Sequence, residues 1–200
     1  MSVQQLGRLR AAGEHHQGDP TTHATTLDGF ARMIRGIHHV AISTPDLDRL
    51  AAFYTDVMGF EVVMATQWRD REIVDRMIGL TGSAARQVML KAGNAYLELF
   101  QYESPAPRVA DPARDPSWHG YTHFCVDVVD IDAEYERLSA HGMTFHAPPP
   151  SVGEMGHARL RAIYARDPDG NIVELQEVLD PDLPFGLDHT QLVSFERAAP

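Results

Sequence analysis

The sequence predicts an α+β fold in which one unit, a strand followed by a helix and three further strands (βαβββ), occurs twice in tandem. Residues 37–60 and 121–145 carry the evidence, because both begin with a β-prone stretch that contains a histidine, His39 or His123. In both segments an aspartate follows seven residues after the histidine, and a helical pattern then ends at a glycine. Three matches in the same order indicate an internal duplication.

The first strand and the helix of each unit follow from local patterns. Residues 39–42 and 123–126 alternate with the period of two that is typical of a strand, so the two histidines are expected on the face opposite the packed helix. Asp46 and Asp130 are suitable N-caps, and Gly59 and Gly142 stand where a left-handed helix end is expected.

The remaining pattern predicts three more strands in each unit and sets the domain boundaries. The strands are expected at 60–68, 86–91 and 95–101, and at 143–147, 158–166 and 171–178. Residues 69–83 form an amphipathic insertion. The expected organisation is an N-terminal extension (1–33), a first module (34–103), a proline-rich linker (104–118), a second module (119–178) and a C-terminal tail (179–200).

Composition narrows the classes of function. The net charge of −11 disfavours nucleic acid as a partner, because the phosphate backbone would be repelled. No apolar run is long enough to span a membrane, and the polar N-terminus, with His15, His16 and His23, has no secretory pattern. Cys125 is the single cysteine, which suits a reducing compartment. A cytoplasmic location is therefore expected.

The last strand of each unit carries one acid among apolar residues, Glu98 or Glu174. A lone strand histidine is more often a hydrogen-bonded core residue than a ligand, and a lone glutamate can simply lie at an edge. The repeat favours ligands, because both units supply the same His and Glu at equivalent places. Two imidazoles and two carboxylates suit one divalent ion, Zn²⁺, Ni²⁺, Co²⁺, Mn²⁺ or Fe²⁺.

Several segments resemble the vicinal-oxygen-chelate superfamily, which includes glyoxalase I, methylmalonyl-CoA epimerase and extradiol dioxygenases. They are IHHVAISTPDL, GFEVV, YLELFQY, GYTHFCVDVVDID and RDPDGNIVELQE, and the last is the most specific. The resemblance implies that two βαβββ modules form a curled, U-shaped mixed sheet around a metal. It also matches the ligand positions to His39, Glu98, His123 and Glu174. This set is similar to that of glyoxalase I, whereas the epimerases usually have Gln in place of Glu98.

The resemblance also implies a reaction. The leading interpretation is a metal-dependent lyase or isomerase of glyoxalase or epimerase type, which stabilises an enolate of a small carbonyl substrate, with Glu174 or Glu98 as the base. One alternative is an extradiol-type dioxygenase with Fe²⁺, for which the fourth protein ligand is a poor fit. Another is a drug-binding resistance protein without catalysis. A homodimer is expected from the resemblance alone.

Other side chains are candidates for the wall of the site. Strand alternation places Tyr96, Phe100, Tyr121 and Cys125 on the ligand-bearing faces, although packing within the sheet explains them equally well. Cys125 is expected to be a small buried hydrophobe rather than a nucleophile. The insertion 69–83 is expected to be a solvated helix; alternatively, its arginines or Arg86 could meet an anionic substrate.

Overall fold

A computed structural model describes residues 34, 36–111 and 114–187. The N-terminal extension, with its three histidines, and the end of the tail lie outside the described residues. The described strands form two four-stranded sheets of mixed direction, which belong to one compact unit beginning at His38. This confirms the predicted α+β fold of tandem βαβββ modules.

The first sheet has the strand order β1-β4-β3-β2, with β1 parallel to β4 and the other pairs antiparallel. The helix after β1 continues into a π-helical turn at Phe53–Val57. The elements of this module are β1 (His39–Ser43), α1 (Leu47–Ala52), β2 (Glu61–Arg69), α2 (Glu72–Ile78), β3 (Ala84–Ala92) and β4 (Ala95–Ser104).

The second sheet repeats this topology in the order β5-β8-β7-β6, with β5 parallel to β8. Its elements are β5 (His123–Asp127), α3 (Ile131–Ala140), β6 (Thr144–Phe145), β7 (Leu160–Arg166) and β8 (Ile172–Val178). Strand β6 has only two residues and is shorter than predicted; the His146 backbone N–H still donates to the Tyr164 carbonyl at 2.9 Å, and the chain then enters the triple-proline segment 148–150. Proline cannot donate to a strand ladder, so pairing stops there.

The predicted helix signals are confirmed. The Asp46 carboxylate accepts a hydrogen bond from the Arg49 backbone N–H, and that of Asp130 accepts one from Ala133. Gly59 and Gly142 have φ values of 75° and 96°, a region that glycine adopts without a steric penalty. None of the helices in the described part of the chain is long and apolar enough to cross a membrane.

The hydrophobic core lies on the helix side of both sheets. It is one cluster that includes Ile42, Leu50 and Leu99 from the first module and Leu138 and Leu175 from the second. The alternation predicted for β1 is confirmed, since Ile42 is buried whereas His39, Ala41 and Ser43 are exposed. The two candidate histidines therefore lie on the sheet faces opposite the core, as expected.

The turn between β7 and β8 joins the two modules. The Tyr54 hydroxyl of the first module donates to the buried Asp167 carboxylate at 2.8 Å. Asp169 of the same turn bonds Thr44 and Arg49 of the first module. The segment RDPDGN is part of the most specific stretch of the family resemblance. Its structural role is to dock one module onto the other.

Burial raises the pKa of the Asp167 carboxyl above its ordinary value. Four hydrogen bonds oppose this rise, from the Tyr54 hydroxyl, from the backbone N–H groups of Asp169 and Asn171, and from the Asn171 side chain. Burial and the nearby Asp167 charge in turn raise the pKa of Tyr54. A buried carboxylate with this many donors is costly to disturb.

Candidate active site

Each sheet brings together one of the predicted His–Glu pairs. In the first module His39 Nε2 lies 3.2 Å from a carboxylate oxygen of Glu98, and in the second His123 Nε2 lies 2.9 Å from Glu174. The glutamate side chains are 11% and 15% exposed and the histidines 39% and 25%, so each pair stands at the surface of its sheet with the carboxylate set deeper.

The two pairs have the same position in the repeated topology. Glu98 is the register partner of Ala41 on the neighbouring parallel strand, and Glu174 is the partner of Cys125. In both cases the histidine precedes this partner by two residues, so it shares the same face of the sheet. The duplication seen in the sequence is therefore a duplication of the half-site.

The structure brings the four residues together as two pairs and not as one group of four. Among the described residues, no cluster of three or more His, Cys, Asp or Glu side chains is arranged to hold a metal ion. Each module thus presents half of the predicted ligand set on the face opposite the core.

The surroundings of Glu98 are amide and aromatic. The Gln87 side chain on β3 donates a hydrogen bond to the Glu98 carboxylate. Tyr102 lies farther along β4, and its own burial, together with the charge of Glu98, raises its pKa. Met89 is the register partner of Glu98 on β3. The Glu98 carboxylate therefore lies between the Gln87 amide and the His39 ring, beside Met89 and Tyr102.

The surroundings of Glu174 are phenolic. Tyr164 is its register partner on β7, so the two side chains lie next to each other on one face of the sheet. The pKa of Tyr164 is raised mainly by burial and further by the charge of Glu174. The Tyr164 ring also meets the His123 ring edge-on, with 5.0 Å between centroids. One tyrosine therefore contacts both members of this pair.

Cys125 is exposed, and the prediction that it is a buried hydrophobe is wrong. It is the register partner of Glu174 and shares the ligand face of β5 with His123. Desolvation of the sulfur against the strands, with the charges of Glu174 and Asp127, raises its pKa to about 12. The thiol is therefore protonated near neutral pH, which agrees with the prediction that it is not a nucleophile.

Three aromatic rings stand beside Glu98 on the first sheet, and we call them the aromatic wall (Trp68, Phe100 and Tyr102). Their centroids are 5.8 to 6.1 Å apart. The Trp68 indole N–H donates to Ser83 Oγ at 2.9 Å, and Ser83 is fully buried. Phe100 and Tyr102 share the face of Glu98 by strand alternation, so the wall belongs to the first half-site.

Other candidates from the sequence have more ordinary surroundings. Tyr96 stacks on His38 at the edge of the first half-site, whereas Tyr121 precedes β5 and is 55% exposed. Among the arginines proposed for an anionic substrate, Arg69 pairs with Glu103, Arg76 with Glu72 and Arg86 with Asp48. A cavity of about 440 Å³ beside Trp68 is lined by Gln67, Trp68, Arg69, Arg71, Ala85 and Glu103.

Gln87, Tyr164 and Thr122 were missed by the sequence analysis. Gln87 and Tyr164 contact the glutamates across a strand pair, and the register of that pair cannot be read from alternation alone. Thr122 directly precedes the second histidine as His38 precedes the first, so a comparison of the two repeats at that position would have found it.

Several named proteins are similar to this chain in sequence or in structure. A protein from Actinomyces sp named 2-epi-5-epi-valiolone epimerase is 34% identical over 148 residues, which cover 70% of this chain and 77% of the relative. The lactoylglutathione lyase of Pseudomonas putida is 29% identical over 88% of this chain and 96% of its own length. A glyoxalase family protein from Bacillus cereus superposes with a TM-score of 0.63 at 24% identity, over 74% of this chain and 97% of that protein.

The family model described as Glyoxalase/Bleomycin resistance protein/Dioxygenase superfamily matches residues 36–175. The match spans both modules and contains all four predicted ligands and the docking turn. It agrees with the two mixed sheets and the repeated His–Glu pairs. The chain belongs to the glyoxalase/bleomycin resistance protein/dioxygenase superfamily.

Proposed function

We propose that this chain is a divalent-metal-dependent enzyme of epimerase or glyoxalase type, which removes and returns a proton beside a carbonyl group of a small substrate. The observation that carries the proposal is the pair of His–Glu half-sites, placed at the same register in two duplicated sheets. The named relatives, an epimerase and a lyase, support the same reaction class.

The four side chains fit a metal ion by their chemistry. Each pair points an imidazole Nε2 and a carboxylate oxygen at the same place, and two such pairs make a mixed N and O ligand set. Such a set suits Zn²⁺, Ni²⁺, Co²⁺ or Mn²⁺ and leaves positions open for substrate oxygens. When bound, the ion supplies Lewis-acid stabilisation of the negative charge that develops on the substrate.

We propose further that two copies of the chain share each site, with the His39–Glu98 pair of one copy facing the His123–Glu174 pair of the other. The separation of the two pairs within the described chain supports this, since neither pair is a sufficient ligand set alone. The edge strand β2 also leaves Val62, Val63 and Met64 between 41% and 50% exposed. Exposed apolar side chains on an edge strand favour burial against a partner.

The glutamates are the candidates for proton transfer. The Gln87 amide donates to one oxygen of Glu98 while the other lies toward His39, and Glu174 lies beside Tyr164 with one oxygen toward His123. A positioned carboxylate at the reacting carbon contributes on the order of 10²–10⁴-fold to the rate. We propose that one of the two takes the proton from the carbon beside the carbonyl, and that the other delivers a proton to the opposite face of that carbon in an epimerisation, or to the neighbouring carbon in a glyoxalase-type isomerisation.

The first half-site suggests the kind of substrate. The aromatic wall gives it a surface of three rings, with Trp68 nearly perpendicular to the stacked Phe100 and Tyr102, whereas the second half-site presents the Tyr164 hydroxyl and the Cys125 thiol. A small carbonyl compound with one apolar face and one polar face fits this asymmetry. The compound named in the Actinomyces relative, 2-epi-5-epi-valiolone, is therefore the first substrate to try, followed by lactoylglutathione.

The test is exchange of a substrate C–H proton with deuterium in D₂O, followed by NMR and compared with metal content. Wild type, Glu98→Gln, Glu174→Gln and the exposed control Glu61→Gln are reloaded with each metal and assayed together. We expect metal-dependent exchange in wild type and Glu61→Gln, and a loss of about 10²-fold or more in at least one glutamine variant that still holds metal. Full exchange in both metal-loaded glutamine variants would contradict the proposal. Oxygen consumption with iron and no exchange would instead support the dioxygenase.

A further inference from the structure

The cavity at the end of the first sheet has one positive charge in excess. Its volume of about 440 Å³ is that of a small-molecule site. Two arginines and one glutamate line it, together with an amide, an indole and a methyl group, and these residues are Gln67, Trp68, Arg69, Arg71, Ala85 and Glu103. The charge of Arg69 is balanced by Glu103, with which it forms an ion pair. Arg71 forms no ion pair with any residue that the structure describes.

The lack of a partner distinguishes Arg71 from the arginines around it. Arg76 on α2 pairs with Glu72, and Arg86 on β3 pairs with Asp48. The chain carries a net charge of −11, so carboxylates are plentiful on its surface, and yet none of those described pairs with Arg71. A guanidinium group binds a carboxylate or a phosphate through two parallel hydrogen bonds. The cavity therefore has the charge and the donors for an anion from outside the chain.

The cavity adjoins the first half-site. Trp68 belongs both to the cavity and to the aromatic wall. Ala85 is the register partner of Trp68 on β2 and of Tyr102 on β4, so these three side chains share the sheet face of Glu98. Tyr102 is four residues from Glu98 along β4, which corresponds to about 13 Å at about 3.3 Å per residue. The aromatic wall thus extends from the His–Glu pair to the cavity.

The cavity is held in shape by hydrogen bonds behind Trp68. The Trp68 indole N–H donates to the buried Ser83 hydroxyl at 2.9 Å, and this hydroxyl donates to the Asp75 carboxylate of α2. Asp75 also accepts from the backbone N–H groups of Gly82 at 2.7 Å and Ser83 at 2.9 Å. Asp75 is therefore engaged by the segment before β3 and not by Arg71. A ligand does not need to order the indole, which lowers the entropic cost of binding.

We propose that this cavity binds an oxyanion, a carboxylate or a phosphate, which the substrate carries at the end away from its reacting carbonyl. Arg71 supplies the positive charge and two donors, and the Gln67 amide adds a neutral donor. Trp68 and Ala85 contact the carbon atoms next to the oxyanion. The assignment of this ligand as the substrate rests on the proposed function, whereas the oxyanion site can be measured without any reaction.

The test is the binding of three probes that share a benzene ring and differ in charge: phenyl phosphate, benzoate and benzyl alcohol. Each is titrated into the full-length protein, with Trp118→Phe as the background for every variant. This substitution leaves Trp68 as the single tryptophan, so its fluorescence reports on the cavity. Calorimetry supplies an independent Kd.

Three variants separate the charge of Arg71 from other effects. Arg71→Gln removes the unpaired charge. Arg76→Gln is the matched control, because Arg76 lies on α2, makes an ion pair and is not part of the cavity lining. Glu103→Gln removes the acid that balances Arg69. A gain of affinity in Glu103→Gln cannot result from a loss of folded protein.

We expect saturable binding of at least one anion and none of benzyl alcohol. Arg71→Gln should raise the Kd by about tenfold or more, because it removes charge-assisted hydrogen bonds. Glu103→Gln should lower the Kd by about 2- to 5-fold, which is the range of an exposed ion pair, and Arg76→Gln should leave it unchanged. Tighter binding of phenyl phosphate indicates a phosphorylated substrate, and tighter binding of benzoate indicates a carboxylic acid.

The outcomes distinguish this inference from the proposed function. The titrations are repeated with the double variant His39→Ala and His123→Ala, because an oxyanion can also bind a metal ion. Loss of binding in that variant with an unchanged Kd in Arg71→Gln overturns the inference, as does the absence of saturable anion binding or equal binding of benzyl alcohol. Anion binding that depends on Arg71, in a protein without metal-dependent proton exchange, contradicts the proposed function alone.

Discussion

The two half-sites are alike in the residues that face each other and different in the residues around them. Both have a histidine at the start of the first strand, a glutamate at the same register, and a side-chain partner for the histidine Nδ1. Around this common frame the first module has Gln87 and Phe100 where the second has Ala162 and Gln176. The residues that occur in both modules are the proposed metal ligands. The residues that differ between the modules are those proposed to contact the substrate.

The same contrast explains how the modules dock. Tyr54 reaches Asp167 across the module boundary, and the equivalent helix position in the second module is Leu138, a buried apolar residue. The duplicated unit therefore became asymmetric in two ways, one at the docking turn and one on the ligand face. Mutations can therefore test each of these two differences without changing the His–Glu pairs that the modules share.

The largest expected effect is the loss of metal from either half-site. His39→Ala and His123→Ala should each lower the bound metal to less than about a tenth of the wild-type content, because ligand loss should exceed the 10–100-fold cost of losing a neighbouring hydrogen bond. Metal analysis of purified protein measures this, with the exposed His146→Ala as the control. A normal metal content in one variant would show that the half-sites are not equivalent.

The next effect concerns the docking turn. Tyr54→Phe removes a hydrogen bond to a buried carboxylate, so the free energy of unfolding should fall by about 1.5–3 kcal/mol while the metal content is unchanged. Denaturant unfolding gives the value. The control Tyr135→Phe keeps the ring packing against Phe145. Equal stability of Tyr54→Phe and wild type would show that this bond does not hold the modules together.

A smaller effect is expected on the ligand face. Phe100→Leu keeps apolar volume and removes one ring of the aromatic wall, so kcat/KM should fall by about 2- to 10-fold with metal retained, in line with the 0.5–1.5 kcal/mol attributed to aromatic pairs. Gln176→Ala, at the matching position of the second module, is the control in steady-state assays. If kcat/KM falls further in Gln176→Ala than in Phe100→Leu, the proposal that the aromatic wall contacts the substrate is contradicted.

The smallest effect is a change in pH dependence. Because burial raises the pKa of Asp167 above 3.8, its contribution to stability is fully present below the unfolded value and is lost as pH rises through the folded value. Relative to Asp167→Asn, wild type should therefore gain stability as the pH is lowered through that window. Unfolding curves collected against pH test this, and a relative loss on acidification would contradict the cause assigned here.

Much of the fold could be predicted because short, local sequence features mark both copies of the repeat. The histidine-to-aspartate spacing, the caps at Asp46 and Asp130, and the terminal glycines each act over one helix or strand, and all are confirmed. The pairing of His39 with Glu98 and of His123 with Glu174 followed from the equivalence of the two units.

The contacts that depend on strand register or on the relation between modules could not be predicted. Gln87 and Tyr164 reach the glutamates only because β3 and β7 pair at a particular offset, and a shift of one residue would turn them to the other face. The Tyr54–Asp167 bond joins residues that are distant in the sequence and lie in different modules. The exposure of Cys125 likewise depends on what covers the ligand face, which the strand pattern does not specify.

A mixed dimer tests most directly whether two chains share each metal site. One chain carries His39→Ala with Glu98→Gln, and the other carries His123→Ala with Glu174→Gln, each with a different purification tag. In a shared arrangement the heterodimer retains one complete ligand set, so we predict about half the metal content of a doubly tagged wild-type dimer and none in either variant homodimer. A heterodimer without metal, beside a fully loaded wild-type dimer, would contradict the shared site.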